Sequence, residues 1–338
     1  MRTSRAITAM AFVVAATALA PGSQAAPLAD DAVRWPLPPI APALTAAERA
    51  RFVPLPEPTG RVPVLLFHQI CEVTCRPQEE YAMTREELAK TLAMLELAGY
   101  ETISVDAYVR FLRGITTGLP RRPILLTFDD SRSDAWIGAH SILAAAHARA
   151  TMYVITARSE NGDPDYMRWR EVEAAAASGV WDLQLHAHAG HSSVPVAVSA
   201  DGAPVMKHAF AWRRWSREPT GDDAPSTGSL ETFAEWRERV VGDLDHGDAL
   251  LAAHVPGYRS LTFAVPYSDY GQVLSNDGRI PASLRDIFDE RFEAWFSQPG
   301  PDPEFSFPGR HQEKSRFVVY RATTAEQIYM WLERHGTR

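Results

Sequence analysis

The sequence predicts an α/β fold, a single domain built as a barrel of seven or eight strand and helix units. Three observations lead there. Apolar runs of strand length alternate along the chain with amphipathic stretches of helix length. The runs are apolar throughout, the pattern of parallel strands covered on both faces. The span from Arg61 to Arg338 has about the size of a closed α/β barrel, which takes ~250 residues, and is small for that many units in an open sheet.

The chain opens with MRTSR, a basic start, followed by the apolar run AITAMAFVVAATALA and small residues up to Ala25. This is the layout of a secretory signal peptide, residues 1–25, cut after Ala25. A membrane anchor is the rival, but the run is short of the ~20 apolar residues a spanning helix needs. No cysteine stands at the cut to take a lipid, so the expected product is secreted, extracellular or associated with the cell wall. The whole chain has net charge -8, and loss of Arg2 and Arg5 with no acids makes the mature chain -10. That balance, without a Lys/Arg cluster, excludes nucleic acid as a partner. No membrane span is expected, and the expected state is a monomer. Cys71 and Cys75 are the only cysteines. In an exported chain they are expected to close a small loop as a disulfide, with a soft-metal site or two free thiols as alternatives.

Residues 26–60 are proline-rich ("RWPLPPIAPAL", "FVPLPEP") and lack periodicity, so they are read as an extended segment that wraps the domain. The domain proper is read as 61–338. Its strand runs are VPVLLFH (62–68), YETISV (100–105), PILLTFD (123–129), ATMYVI (150–155), VWDLQLH (180–186), LTFAVPY (261–267), EAWFSQ (293–298) and FVVYR (317–321). The helix after the first run begins at Arg85, with Thr84 and Glu87 in capping-box spacing, and stops at Gly99. The last helix repeats the device with Thr323 and Glu326. Residues 192–229, including "REPTGDDAPSTGSL", break the rhythm as a polar insertion. Its Trp212 and Trp215 could line a sugar groove or pin the loop; pinning is the simpler expectation.

Chemistry concentrates where strand runs end, which in a barrel is where sites assemble. "PILLTFDDS" ends in Asp129 and Asp130, and neighbouring strand residues point opposite ways, so the two can take different tasks. "LQLHAHAGH" ends another run in His186, His188 and His191. An extended strand puts His186 and His188 on one face, while the Ala189-Gly190 step lets His191 fold back. Two imidazoles and one carboxylate, with room for water, make a catalytic metal site, and the second carboxylate is then free to act as base. On the residues alone His188 and His191 are equal candidates. Two further runs deliver His68 and the Pro266-Tyr267 pair.

These pieces, in this order and spacing, resemble the polysaccharide deacetylases of the NodB-homology group, carbohydrate esterase family four, over residues 61–338. "LLTFDDS" resembles the family's TFDDG motif, "HAHAGH" its histidine motif, and "FAVPYSDYG" its YPYGxY segment. The His-x4-His spacing and "LETFAEWRERVVGDL" are most similar to the exported poly-N-acetylglucosamine deacetylases. The resemblance implies a distorted (β/α)7–8 barrel in which Asp130, His186 and His191 hold a divalent metal, zinc first, with cobalt, nickel or iron(II) as alternatives. It makes His188 a neighbour and Asp129 the general base. It gives the Tyr267 backbone N–H to the oxyanion and nominates His68 as the acid. The implied function is removal of N-acetyl groups from an N-acetylhexosamine-containing extracellular polysaccharide, releasing acetate. The alternatives are a same-fold amidase on a non-carbohydrate amide, or a catalytically weak sugar-binding matrix protein.

The chain also departs from the family. Ser131 and Ser268 stand where glycines are usual, so strained backbone is expected there. Leu185 and Ala187 lack the hydroxyls usual beside His186, and Ala264 replaces an arginine that often steadies the base.

Overall fold

The eight apolar runs all become strands of one parallel sheet, in a computed structural model that describes residues 33–58, 60–217, 228–298 and 300–336. The predicted signal segment lies outside the described residues. In chain order the first half comprises α1 (Ala46–Arg51), β1 (Val64–Phe67), β2 (Gln69–Cys71), β3 (Ala82–Thr84), α2 (Arg85–Leu97), β4 (Glu101–Thr102), α3 (Val105–Leu112), β5 (Pro123–Phe128), α4 (Ser133–Ala145), β6 (Ala150–Val154), α5 (Thr156–Asn161) and α6 (Trp169–Ala177). The second half comprises β7 (Trp181–Leu185), β8 (Ser193–Val198), β9 (Pro204–His208), β10 (Trp215–Arg217), β11 (Gly228–Leu230), α7 (Phe233–His254), β12 (Thr262–Ala264), α8 (Ile280–Arg291), β13 (Ala294–Ser297), β14 (Glu313–Ser315), β15 (Phe317–Val318) and α9 (Ala325–Gly336).

The sheet runs β14-β13-β12-β7-β6-β5-β1-β15, with β4 against the start of β5. Its two ends belong to one piece of chain. β14 pairs with β13 from Trp295↔Glu313 to Ser297↔Ser315, and β15 pairs with β1 at Leu65↔Phe317 and Leu66↔Val318. Only Arg316 separates them, so residues 313–318 bond to both edges and nearly close the barrel. Counting that stretch once turns nine strands into eight.

Alternation along the strands sorts side chains into two layers. Leu65, Phe67, Ile124, Leu126, Phe128, Met152, Val154, Leu185, Phe263 and Trp295 face the helices, in the main apolar cluster. Val64, Leu125, Tyr153, Ala264 and Phe296 pack in a second cluster inside the barrel, joined by Tyr108, Phe111 and Leu112 of α3. Continuing the inner rows by steps of two from Val64, Leu125 and Gln184 reaches His68, Asp129 and His186. The period of the strand thus aims these three polar side chains inward where the apolar filling ends.

The segment before Arg61 lies on the same compact unit, which spans Val33–Arg338. Trp136 donates its indole N–H to Arg34 O at 2.8 Å, Leu37 N–H bonds Ile137 O, and Phe52 and Leu55 are buried. The expectation of extended chain throughout 26–60 needs one correction, because residues 46–51 are helical. Thr45 and Glu48 form a full capping box there, enough to start one turn and a half. Both predicted capping boxes also change. Thr84 caps α2 as expected, but Glu87 reaches across to accept from Ala325 N–H at 2.6 Å, at the start of α9. The box on α9 belongs to Thr324 and Gln327, since the Thr323 hydroxyl is taken by Tyr320 N–H.

The polar insertion is not a plain loop. β8 and β9 form an antiparallel hairpin across Asp201-Gly202, where Gly202 takes φ +83°, and β10 pairs with β11. Residues 218–227 lie outside the described residues. A disulfide joins Cys71, the last residue of β2, to Cys75 in the loop that follows. No helix among the described residues is long and apolar enough to cross a membrane.

Candidate active site

At the end of β5 the backbone turns left-handed twice, at Asp130 (φ 72°) and Ser131 (φ 50°). The turn keeps the adjacent carboxylates from pointing to opposite faces. Asp129 Oδ2 and Asp130 Oδ1 lie 4.0 and 3.3 Å from the same atom, His186 Nε2. Ser131 sits in the conformation that glycine favours, and so does Ser268 (φ 53°), as anticipated from the motif glycines they replace. Ser131 also hydrogen-bonds, its hydroxyl donating to Asp130 O at 2.5 Å, whereas the buried hydroxyl of Ser268 has no partner.

The histidine loop folds as its small residues suggested. Ala187 takes φ 69°, and a side chain on Gly190 would place its Cβ 2.0 Å from the buried ring of Phe210. Asp243 on α7 accepts the N–H groups of His188 (2.9 Å) and Ala189 (2.7 Å) and anchors the loop. The chain is thereby turned so that His191 Nε2 comes within 3.2 Å of Asp130 Oδ1. His188 is turned away, its Nδ1 3.0 Å from Thr156 Oγ1.

Asp130, His186 and His191 each offer one donor atom, all within 4.8 Å of one another. His186 Nδ1 lies 2.8 Å from Ala264 O; a carbonyl only accepts, so Nδ1 carries the proton and the lone pair on Nε2 faces Asp130. The orienting bond lost with Leu185 and Ala187 is thus supplied by backbone of β12. Two imidazoles, one carboxylate and a fixed tautomer fit a divalent ion. Without one, burial opposes charge on Asp130, yet the two imidazoles hold its carboxyl well below the usual carboxylate range. Burial likewise opposes charge on His186, and Asp129 and Asp130 outweigh it to push the imidazole up.

Asp129 is almost wholly buried and has a partner not anticipated from the sequence. Arg316, with no exposed surface, donates from Nη1 to Oδ1 and from Nη2 to Oδ2, each at 2.7 Å. Burial raises the Asp129 carboxyl, but the guanidinium and His186 overcome it and hold the group below its ordinary value. The closing strand therefore fills the role left vacant at Ala264. His68 approaches from the end of β1. Burial pushes its imidazole below the ordinary histidine value, and its Nδ1 is buried without a partner. Tyr267 sits in a single 3₁₀ turn, Pro266–Ser268, with φ 55°. Its ring lies 4.3 Å from His191 and stacks at 4.1 Å on His208 of β9. Trp212, expected to pin the insertion, lines a cavity of about 450 Å³ with His208, Tyr267, Ser268 and Asp269.

Residues 117–278, which include Asp129, Asp130, His186, His191 and Tyr267, match the polysaccharide deacetylase family. The match covers just under half of the chain and takes in every site residue named above except His68 and Arg316. The chain is accordingly a hydrolase of N-acetyl amide bonds of the polysaccharide deacetylase type. No curated protein matches the sequence. Among solved structures, the deacetylase chain is similar to a de-N-acetylase from Aggregatibacter actinomycetemcomitans (17% identity, TM-score 0.63, 80% of this chain and 100% of that one). It is also similar to the BpsB deacetylase domain from Bordetella bronchiseptica (21%, 0.57, 78% and 97%) and to IcaB from Ammonifex degensii (20%, 0.55, 81% and 97%). At these identities the structural likeness speaks for the barrel alone.

Proposed function

We propose that the deacetylase is a metal-dependent, exported enzyme that removes N-acetyl groups from poly-N-acetylglucosamine or a similar N-acetylhexosamine polymer. The observation that carries this reading is the convergence of Asp130, His186 and His191 beside a second acid, Asp129, that is ionised but outside the donor set. A pure sugar binder has no use for that acid. The polymer is supported by the His-x4-His spacing and by the likeness to a deacetylase domain and a de-N-acetylase.

A divalent ion held by Asp130, His186 and His191 would supply Lewis-acid activation, making a water in the site far easier to deprotonate. Asp129 takes the proton of the attacking water. Arg316 keeps its carboxylate charged, at some cost in basicity, and fixes its plane so that Oδ2 faces the site. The Tyr267 backbone N–H is the donor for the developing oxyanion, a contact typically worth about 3 kcal/mol in the transition state. His68 delivers a proton to the departing sugar amine. Its lowered proton affinity makes it a ready donor and reduces its protonated fraction as pH rises. The stacked His208 and Tyr267 rings, with Trp212, provide a flat wall suited to a sugar face.

The test is acetate release from N-acetylglucosamine oligomers, measured with native protein, after chelation, and for Asp129→Asn. Release that stops in both altered samples, with metal content intact in Asp129→Asn, is the expected result. Oligomer binding without release from the metal-loaded native protein refutes the proposal in favour of a matrix-binding role.

A further inference from the structure

The histidine loop holds three imidazoles, and the reaction above uses two. The third faces a different partner set. His188 Nε2 lies 3.8 Å from Glu160 Oε2, and the ring of His188 meets that of His246 edge-on, with centroids 4.4 Å apart. One donor atom from each of Glu160, His188 and His246 lies within 4.8 Å of the others. We propose that these three side chains bind a divalent transition-metal ion, at a second site on the other side of the loop from Asp130.

The donor set is again two imidazoles and a carboxylate, which suits zinc, nickel, cobalt or copper and disfavours calcium or magnesium. His188 Nδ1 lies 3.0 Å from the Thr156 hydroxyl, and the tautomer that carries its proton on Nδ1, donated to that oxygen, presents the Nε2 lone pair on the Glu160 side as a metal ligand requires. The three positions are also held firmly. Thr156 and Glu160 stand one turn apart on α5, while Asp243 and His246 stand one turn apart on α7. Asp243 grips the loop through the N–H groups of His188 and Ala189, so α7 carries one ligand and braces another. Gly247 makes that proximity possible: a Cβ there would come within 2.6 Å of Leu185 and 3.4 Å of the Thr156 hydroxyl, forcing α7 and His246 outward.

Without a metal the arrangement gains little, because a His-Glu contact at 3.8 Å with the carboxylate exposed is a weak surface interaction. Glu160 and His246 are exposed, which leaves the remaining coordination positions to water and makes the ion exchangeable. Because His186 and His191 flank His188 on the same short loop, an ion here clamps the segment that presents the inner donor pair.

The proposal is tested by stripping the full chain with chelator and titrating it with Zn2+ by calorimetry, with metal analysis after gel filtration. Bound equivalents are expected to fall by one in His246→Ala and in Glu160→Gln relative to wild type. Asp130→Asn, which addresses the inner set, is expected to retain the equivalent that these two lose. Both substituted residues are exposed, and circular dichroism checks that each variant is folded. Equal stoichiometry in wild type and His246→Ala overturns the site. Loss in His246→Ala with Glu160→Gln binding as wild type overturns the three-ligand assignment.

Discussion

Replacing Arg316 with methionine keeps most of the side chain's length and removes the charge that faces Asp129. Two charge-assisted hydrogen bonds disappear, each worth roughly 1.5–3 kcal/mol, and a carboxylate that is 2% exposed loses its counter-charge. Breaking a buried pair on one side in this way costs about 3–5 kcal/mol, the scale expected for Arg316→Met in urea unfolding followed by tryptophan fluorescence. Asp129→Asn in the same background removes the stranded charge, so the double variant should be more stable than the sum of the single losses predicts, by at least ~1 kcal/mol. Activity provides a second readout. Burial alone raises the Asp129 carboxyl, and the guanidinium is the main reason it lies low. Without Arg316 the acid is protonated at higher pH, so the acid limb of acetate release should move upward in pH. Additive single losses, or an Arg316→Met cost below about 1 kcal/mol, would refute the coupling.

Three further outcomes follow from single residues. Ser268→Gly should raise stability by about 1 kcal/mol in thermal unfolding, because it relieves a left-handed serine and deletes a buried, unpartnered hydroxyl at the smaller cost of glycine's chain entropy. Burial lowers Lys314 to about 8 from 10.5, so the folded chain binds this proton less tightly than the unfolded one; stability should climb by up to about 3 kcal/mol between those pH values, and Lys314→Met should abolish that climb. His68→Ala should reduce kcat/KM about 10²- to 10⁴-fold while metal content is unchanged; a milder loss removes His68 from the role of acid.

Much of the fold was legible because its strands are buried on both faces, which leaves uninterrupted apolar runs such as PILLTF and ATMYV that no polar alternation obscures. β14 reads Glu-Lys-Ser and gives no such signal; only its pairing with β13 defines it. The hairpin of β8 and β9 did carry a local mark, Asp201-Gly202 between strand-forming residues, that a polar composition hid. At the site, Asp129, Asp130 and the histidines stood out because carboxylates and imidazoles cluster at strand ends. Arg316 did not, since its meaning depends on the two ends of the sheet meeting. A charged residue heading the run FVVY, on the row that faces inward, is the clue that was present. Asp243 lies in the middle of α7, and nothing local distinguishes it from a solvated helix position. The choice between His188 and His191 likewise depends on how α5 and α7 dock.

The join at residues 313–318 also orders events in the life of the chain. Asp129 leaves the ribosome long before Arg316, so for most of synthesis this carboxylate has neither its guanidinium partner nor an enclosed pocket to occupy. Hydrolytic power arrives only when the final strand locks into place, and a polypeptide cut short of residue 316 is left both open along one seam and chemically silent.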